Sequence, residues 1–382
     1  MKYTISKLTK QSNQNINYIF ENYSNKLKFN IKDPYFIKLL YTLIDRASEM
    51  NTEHTIKHIS VAKVEHIQND KFISKEILEF LKRASFGHYY IHFKIKDVVY
   101  HIHIYTQHEI NINKYIHFIK LILNMCSQQA TTRYNVFTFK IILTDYAKTQ
   151  PTIPVEPSSI NSGMTEYPSI PTPDDHKQIT IFRKEERFKV FIHECFHLFC
   201  LDFAGDDADY KHLFKPLYNI ESDFLFFESL CEFWARTINI AIISYATKKY
   251  ILYEEFKALM EVNLQIEKIY SLLQMKHILG NMGFTYESLI DKNRTTPYVE
   301  NTNMFCYYVL TPVLLFHYEQ TMSWFIEHNQ TLLQFKRDKK NISLFFHYIK
   351  SIHNNKPFME MITSLTNYKL TNNCMSSFEL LI

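Results

Sequence analysis

The stretch from 188 to 203, FKVFIHECFHLFCLDF, constrains this chain more than any other. It contains His193-Glu194-Cys195-Phe196-His197, an HExxH pentad. On an α-helix, residues four apart lie one above the other on one face. The spacing therefore aims two imidazoles at a single point, as a tetrahedral zinc requires. Glu194 stands one step round the helix, where a carboxylate can take a proton from a zinc-bound water. Phe188, Ile192, Cys195 and Phe199 follow the i, i+4, i+7, i+11 stripe of a core-facing helix. Lys184-Glu185-Glu186 puts acids in the expected first turn, where the helix dipole favours them. Gly205 and Asp206-Asp207-Ala208-Asp209 are the expected stop.

About one chain in twenty of this length carries such a pattern by chance, so its surroundings decide. The plain alternative is a pair of helix-face histidines beside an acid. Here apolar residues flank the pentad on both sides, which predicts a buried helix. Burying two histidines and a glutamate without partners is costly, and a metal ion removes that cost.

A second acidic helix is expected over 221–246, ESDFLFFESLCEFWARTINIAIISYA, with Glu228 and Glu232 on one face. Two histidines leave a catalytic zinc one protein ligand short, with water in the fourth position. Glu228 is the expected third ligand. Glu232, one turn on, would then hydrogen-bond a ligand histidine from behind. The reverse assignment stays open. So does a reading in which Glu232 pairs with Arg236 at i, i+4 on a solvated face.

The pentad, followed some thirty residues later by Glu228-Ser229-Leu230-Cys231-Glu232-Phe233-Trp234, resembles the gluzincin metallopeptidases, with thermolysin and aminopeptidase N as familiar members. That family's second helix carries Glu-x-x-small followed by an acid, which Glu228, Cys231 and Glu232 match. The Asn that usually precedes the glutamate is Phe227 here. The resemblance covers about 179 to 236. It implies a Zn2+ cofactor, a peptide substrate and a zinc-binding helix pair beneath a sheet. More loosely, the chain is similar to HExxH proteins of large DNA viruses.

The chain has 382 residues, enough for a substantial core and two or three domains. Its net charge of +4 is slight and spread along the sequence, which does not argue for nucleic acid. Glycine is scarce at 5 residues while Tyr, Phe, Ile, Asn and Lys abound, a bias of AT-rich genomes. The 6 cysteines are scattered, without a CxxC, so an intracellular, reducing compartment is expected: the cytoplasm, or a host cell or virion if the chain is viral. Cys195 and Cys231 flank the expected ligands and read as small buried hydrophobes. Polar sequence follows Met1 where a signal peptide would be apolar, and no apolar run approaches the ~18 residues that span a bilayer. A secreted digestive protease is therefore not expected, nor a membrane partner.

Residues 1–85 read as helices, over 17–23, 34–50 and 74–83. His54, His58 and His66 read as surface or packing residues. From 88 to 106 the period changes to two, a β-hairpin turning at Lys96-Asp97, with His101 and His103 on one face and His92 opposite. A surface metal site there is conceivable, but a solvated sheet face suits it better. A helix over 113–125, a strand over 136–144 and a short strand over 179–183 complete an upper lobe. Between 146 and 178 lies a proline-rich segment. Asn161, Ser162 and Gly163, within it, are the expected substrate-binding edge, to which a peptide adds as an extra strand; a plain loop is the alternative. Further helices are expected over 252–278, 303–326, 331–353 and 357–365, with Pro312 kinking or dividing the second of these four.

The expected fold is thus α+β and zincin-like: a small mixed sheet over a zinc-binding helix pair, with a mostly helical C-terminal lobe. It divides into a helical region over 1–85, an upper lobe over 86–205 with the sheet and the HExxH helix, and a lower lobe over 206–382 carrying the third ligand. The expected activity is peptide hydrolysis with Glu194 as general base. Tyr307 and Tyr308 are candidates to stabilise the oxyanion, with Tyr298 and His212 behind them, though a core or interface role is the better reading of each tyrosine. Two rival readings are an inactive zincin-fold structural or virion-associated protein, and a helical interaction protein with an accidental pentad.

Overall fold

The computed structural model describes residues 7–29, 35–50, 52–64, 67, 72–131, 134–149, 155–156, 160–166, 177–206, 211–248, 251–366 and 372–381. Its centre is an open six-stranded mixed sheet in the order β1-β2-β3-β4-β6-β5. The strands are β1 (His54–Ala62), β2 (Phe86–Ile95), β3 (Val98–Thr106), β4 (Val136–Leu143), β5 (Gly163–Glu166) and β6 (Lys177–Ile181). β1, β2 and β3 are successively antiparallel, β4 runs parallel to both β3 and β6, and β5 closes the far edge antiparallel to β6. The hairpin turns at Lys96-Asp97 as its sequence predicts, with Lys96 left-handed at φ 53°.

One face of the sheet is apolar. Ile91, Phe93, Tyr100, Ile102, Phe137, Phe139, Ile141, Ile179 and Ile181 are all buried there. Against this face lie α4 (Ile112–Gln129) and α5 (Arg187–Leu198); α2 (Tyr35–Glu49) packs on α4, α1 (Lys10–Tyr23) belongs to the same core, and α3 (Lys75–Arg83) covers part of the other face. The HExxH pentad is on α5, which is buried on every side. Phe191 packs edge-on to Phe139 and Phe199 meets Phe137, so the helix is set against the middle of the sheet. Each such phenylalanine contributes about 1.5–3 kcal/mol by leaving water.

The remaining helices of 6 or more residues are α6 (Phe227–Tyr245), α7 (Tyr253–Asn281), α8 (Thr311–Phe316), α9 (Tyr318–His328), α10 (Lys339–Ile352) and α11 (Lys356–Ser364). α6 lies beside α5. One cluster of buried apolar side chains runs from Leu8 to Leu380 and draws on all three sequence segments.

Several sequence expectations need correction. Residues 1–85 are not wholly helical: β1 is an edge strand, exposed along almost its whole length. Its side chains show no in-and-out alternation, and only its backbone pairing with β2 defines it. His54 and His58 sit on it, exposed, while His66 lies outside the described residues. α6 starts at Phe227, six residues after Glu221, and α10 starts at Lys339 rather than 331, capped by Asp338. The helix expected over 303–326 is divided. Cys306–Leu310 forms a π-turn, followed by α8 and then by a break at His317. Pro312 has no N–H to offer the carbonyl four residues back, which favours the wider turn just before it.

α5 also ends before Gly205. Cys200 is left-handed at φ 53°, its N–H donates to His197 O at 3.0 Å, and Leu201 N–H donates to Phe196 O at 2.8 Å. This is a Schellman cap with cysteine where glycine is usual. At the other end Glu186 is the N-cap, also left-handed, so the acids precede the first turn instead of filling it.

Candidate metal centre

His193 and His197 project from α5 with their Nε2 atoms 3.2 Å apart. Glu228, in the first turn of α6, brings Oε2 to 3.0 Å from His193 Nε2 and 3.5 Å from His197 Nε2. All three side chains are buried. Donors about 2.0–2.1 Å from a tetrahedral zinc are about 3.3–3.4 Å apart, so the triangle has the size of such a coordination edge.

The protons on these rings face the other way. His193 Nδ1 lies 3.2 Å from Glu232 Oε2, and His197 Nδ1 is hydrogen-bonded to Asp202 Oδ2. Each carboxylate draws an Nδ1–H, which leaves both Nε2 lone pairs aimed at the carboxylate of Glu228. With the Nδ1 atoms so engaged, the two Nε2 atoms and Glu228 Oε2 converge as a donor set that a cation would satisfy. The donor set of two imidazoles and one carboxylate fits zinc. Burial acts against the charged forms, but is outweighed: hydrogen bonds to Glu228 and Glu232 raise the His193 pKa, and the two histidines hold Glu228 well below the usual carboxylate range. A proton on one imidazole and a divalent ion therefore compete for the same place.

The geometry orders the two glutamates. Glu228 faces both histidines, while Glu232 sits behind His193. Glu232 does pair with Arg236, at 2.8 Å, but in the core, not on a solvated face. It also accepts two hydrogen bonds from Lys189, at 3.0 and 2.9 Å. Burial alone would raise its pKa, yet Lys189 and Arg236 hold it well below the usual range.

Glu194 points along the same cavity, beneath β5. Thr165 donates its hydroxyl to Glu194 Oε2 at 2.7 Å. Gly163 allows this close approach. A Cβ there would stand 2.7 Å from Val190 Cγ1 and 3.2 Å from Glu194 Oε1. The cavity, about 390 Å³, is lined by Asn161, Ser162, Gly163, the histidines, Glu194, Glu228 and Tyr307, among others. Tyr307 donates to Glu228 Oε2 at 3.1 Å and meets His193 edge-on.

Tyr308 is turned away from the cavity and donates to the Asn373 carbonyl. The π-turn separates these neighbours, aiming one at the site and the other into the core. Tyr298 donates to Glu300, and His212 is exposed; neither lines the cavity. Cys195 and Cys231 are both buried, as expected, and the Cys231 thiol lies 3.5 Å from Asp202 Oδ2, in the packing behind His197.

Four residues at the site were not legible in the sequence: Asp202, Thr165, Lys189 and Asn303, whose Nδ2 donates to Glu228 Oε1 at 3.3 Å. Asp202 is five residues from His197, and only the left-handed turn at Cys200 folds it back. A comparison of the chain with protein-family models, curated proteins and solved structures found no match to any of them.

Proposed function

We propose that the chain is a zinc-dependent metallopeptidase with a zincin-like arrangement of its site. One observation carries this reading: two imidazole nitrogens and a carboxylate oxygen converge within 3.5 Å while the outer ring nitrogens face carboxylates. His193, His197 and Glu228 would hold the ion. When bound, zinc supplies Lewis acidity that acidifies water and polarises a carbonyl.

The chain's own residues do the rest. Glu194 accepts a proton on its carboxylate and passes it to the departing amine. Thr165, donating to Oε2, fixes which carboxylate oxygen is free to work. Tyr307 is the hydroxyl donor beside the ligands and is the candidate for the developing oxyanion. β5 lies at the sheet edge over the site, so a peptide can pair with it through main-chain hydrogen bonds. All six cysteines are free thiols, which supports a reducing compartment. No helix among the described residues is long and apolar enough to cross a membrane.

The test is metal analysis of the purified protein together with Glu194→Gln. We expect about one zinc per chain in both proteins, and peptidase activity lower by about 10²–10⁴ in the variant. Absence of zinc, or unchanged activity in the variant, rejects the proposal. An inactive zincin scaffold predicts a zinc-loaded protein inert to a broad peptide library.

A further inference from the structure

The cavity extends past the metal ligands. It passes Val190 and Lys189, one turn before His193 on α5, and is bounded by Lys148, Ser162, Ile160 and Met375. Two of these groups hold donors that no acceptor among the described residues takes. The Ser162 hydroxyl is 4% exposed and has no hydrogen-bond partner. The Lys148 side chain is 1% exposed, and of its three N–H groups it gives one, to Glu186. Arg183 ties the two stretches together: it donates to the carbonyls of Tyr146 and Ala147 on one side and of Asn161 on the other. Buried donors left unspent cost free energy that an incoming acceptor restores.

The charges around this recess alternate in sign, and it is the unspent donors of Lys148 and Ser162 that call for an acceptor. Lys148 pairs with Glu186, Lys189 and Arg236 pair with Glu232, and Glu185 accepts the Lys148 backbone N–H at 2.8 Å. The next carboxyl, Glu267, beside Arg236, has its pKa raised by burial and adds less negative charge than its number suggests. Ile160, Val190 and Met375 wall the approach with apolar atoms, which suits the aliphatic part of a side chain or chain end.

We propose that this recess receives a carboxylate of the peptide substrate, bound by Lys148 Nζ and Ser162 Oγ. The inference rests on the peptidase reading above. The carboxylate has two sources, an Asp or Glu side chain or the free C-terminus of the peptide, and the experiment separates them.

The measurement is equilibrium binding, so it does not depend on turnover. Full-length, zinc-supplemented Glu194→Gln protein is titrated with matched peptide pairs: internal Glu against Gln, and free C-terminus against C-terminal amide. The carboxylate member of one pair should bind about tenfold tighter or more, and that pair names the source. Ser162→Ala, which removes a hydroxyl without a partner and leaves the fold intact, should cut the advantage. Lys148→Met combined with Glu186→Gln, which keeps no buried charge unpaired, should abolish it. Equal binding within both pairs, or no binding at all, overturns the proposal. A carboxylate preference that survives both variants overturns it too, since the anion would then sit on the metal. If the protein holds no zinc, the peptidase reading falls separately, and the peptide pairs still report on the recess.

Discussion

Asp202 decides how firmly His197 holds its tautomer. Its carboxylate takes the Nδ1–H, and an amide in its place can present either donor or acceptor. Asp202→Asn should weaken zinc affinity about 10–100-fold with the fold retained, read by competition with a chromophoric chelator. Unchanged affinity would show that the ring is held by packing alone. Glu232→Gln is a harsher change, because the same carboxylate serves Lys189, Arg236 and His193. Removing one partner of a buried ion pair typically costs about 3–5 kcal/mol, so that variant loses stability as well as metal.

At the level of elements, β5 and α5 meet through Gly163. Gly163→Ala forces its Cβ into Val190, at a cost of about 1–3 kcal/mol. The strand should lift from Glu194 and peptidase activity should fall. Adding Val190→Ala should recover much of the stability, measured by urea unfolding; no recovery would mean that the close approach to Glu194 is the tighter restraint. The loop before the π-turn has a different control. Glu300 is buried and accepts from Phe305 N–H, the Tyr298 hydroxyl and the Thr302 hydroxyl. Burial pushes its pKa up to about 8 from the model-compound value of 4.5. Between those values the folded protein binds more protons than the unfolded chain. This group's contribution to stability therefore falls as pH rises from about 4.5 to 8, and levels off above. Glu300→Gln should flatten that slope, shifting the difference between pH 5.5 and 8.5 by about 3 kcal/mol. Parallel profiles for the two proteins would count against a protonated Glu300.

Across the whole molecule, the last described stretch returns to the start of the HExxH helix. Glu379 Oε1 accepts from Glu186 N–H at 2.9 Å and lies 3.4 Å from Arg187, while Leu380 pairs with Leu8. Ser377 donates to Glu267 on α7, and Met375 Sδ lies 3.3 Å from Lys189 Nζ. The site is thus tied to both ends of the chain and to a continuous core, so an ion that binds the native state stabilises the whole fold. At a thousand times its Kd it contributes about 4 kcal/mol. A chelator should lower the melting temperature by several degrees, and zinc should restore it. A helical interaction protein with an accidental pentad would melt at the same temperature with or without the chelator.

The sequence by itself determined what repeats locally. The four-residue spacing of His193 and His197, and of Glu228 and Glu232, fixed which side chains share a helix face, because helical geometry is set by the backbone. Period-two alternation located the hairpin for the same reason. β1 carries no such signal, because an edge strand exposed on both faces has no burial pattern. Only the tertiary structure decided that Glu228 faces the histidines while Glu232 stands behind, since that depends on how α6 lies against α5. It alone brought Asp202 back through the turn at Cys200, set Thr165 on Glu194, and placed Lys148 and Ser162 at the end of the cavity. Those pairings join residues with no common periodicity, and packing around a shared core is what makes them neighbours.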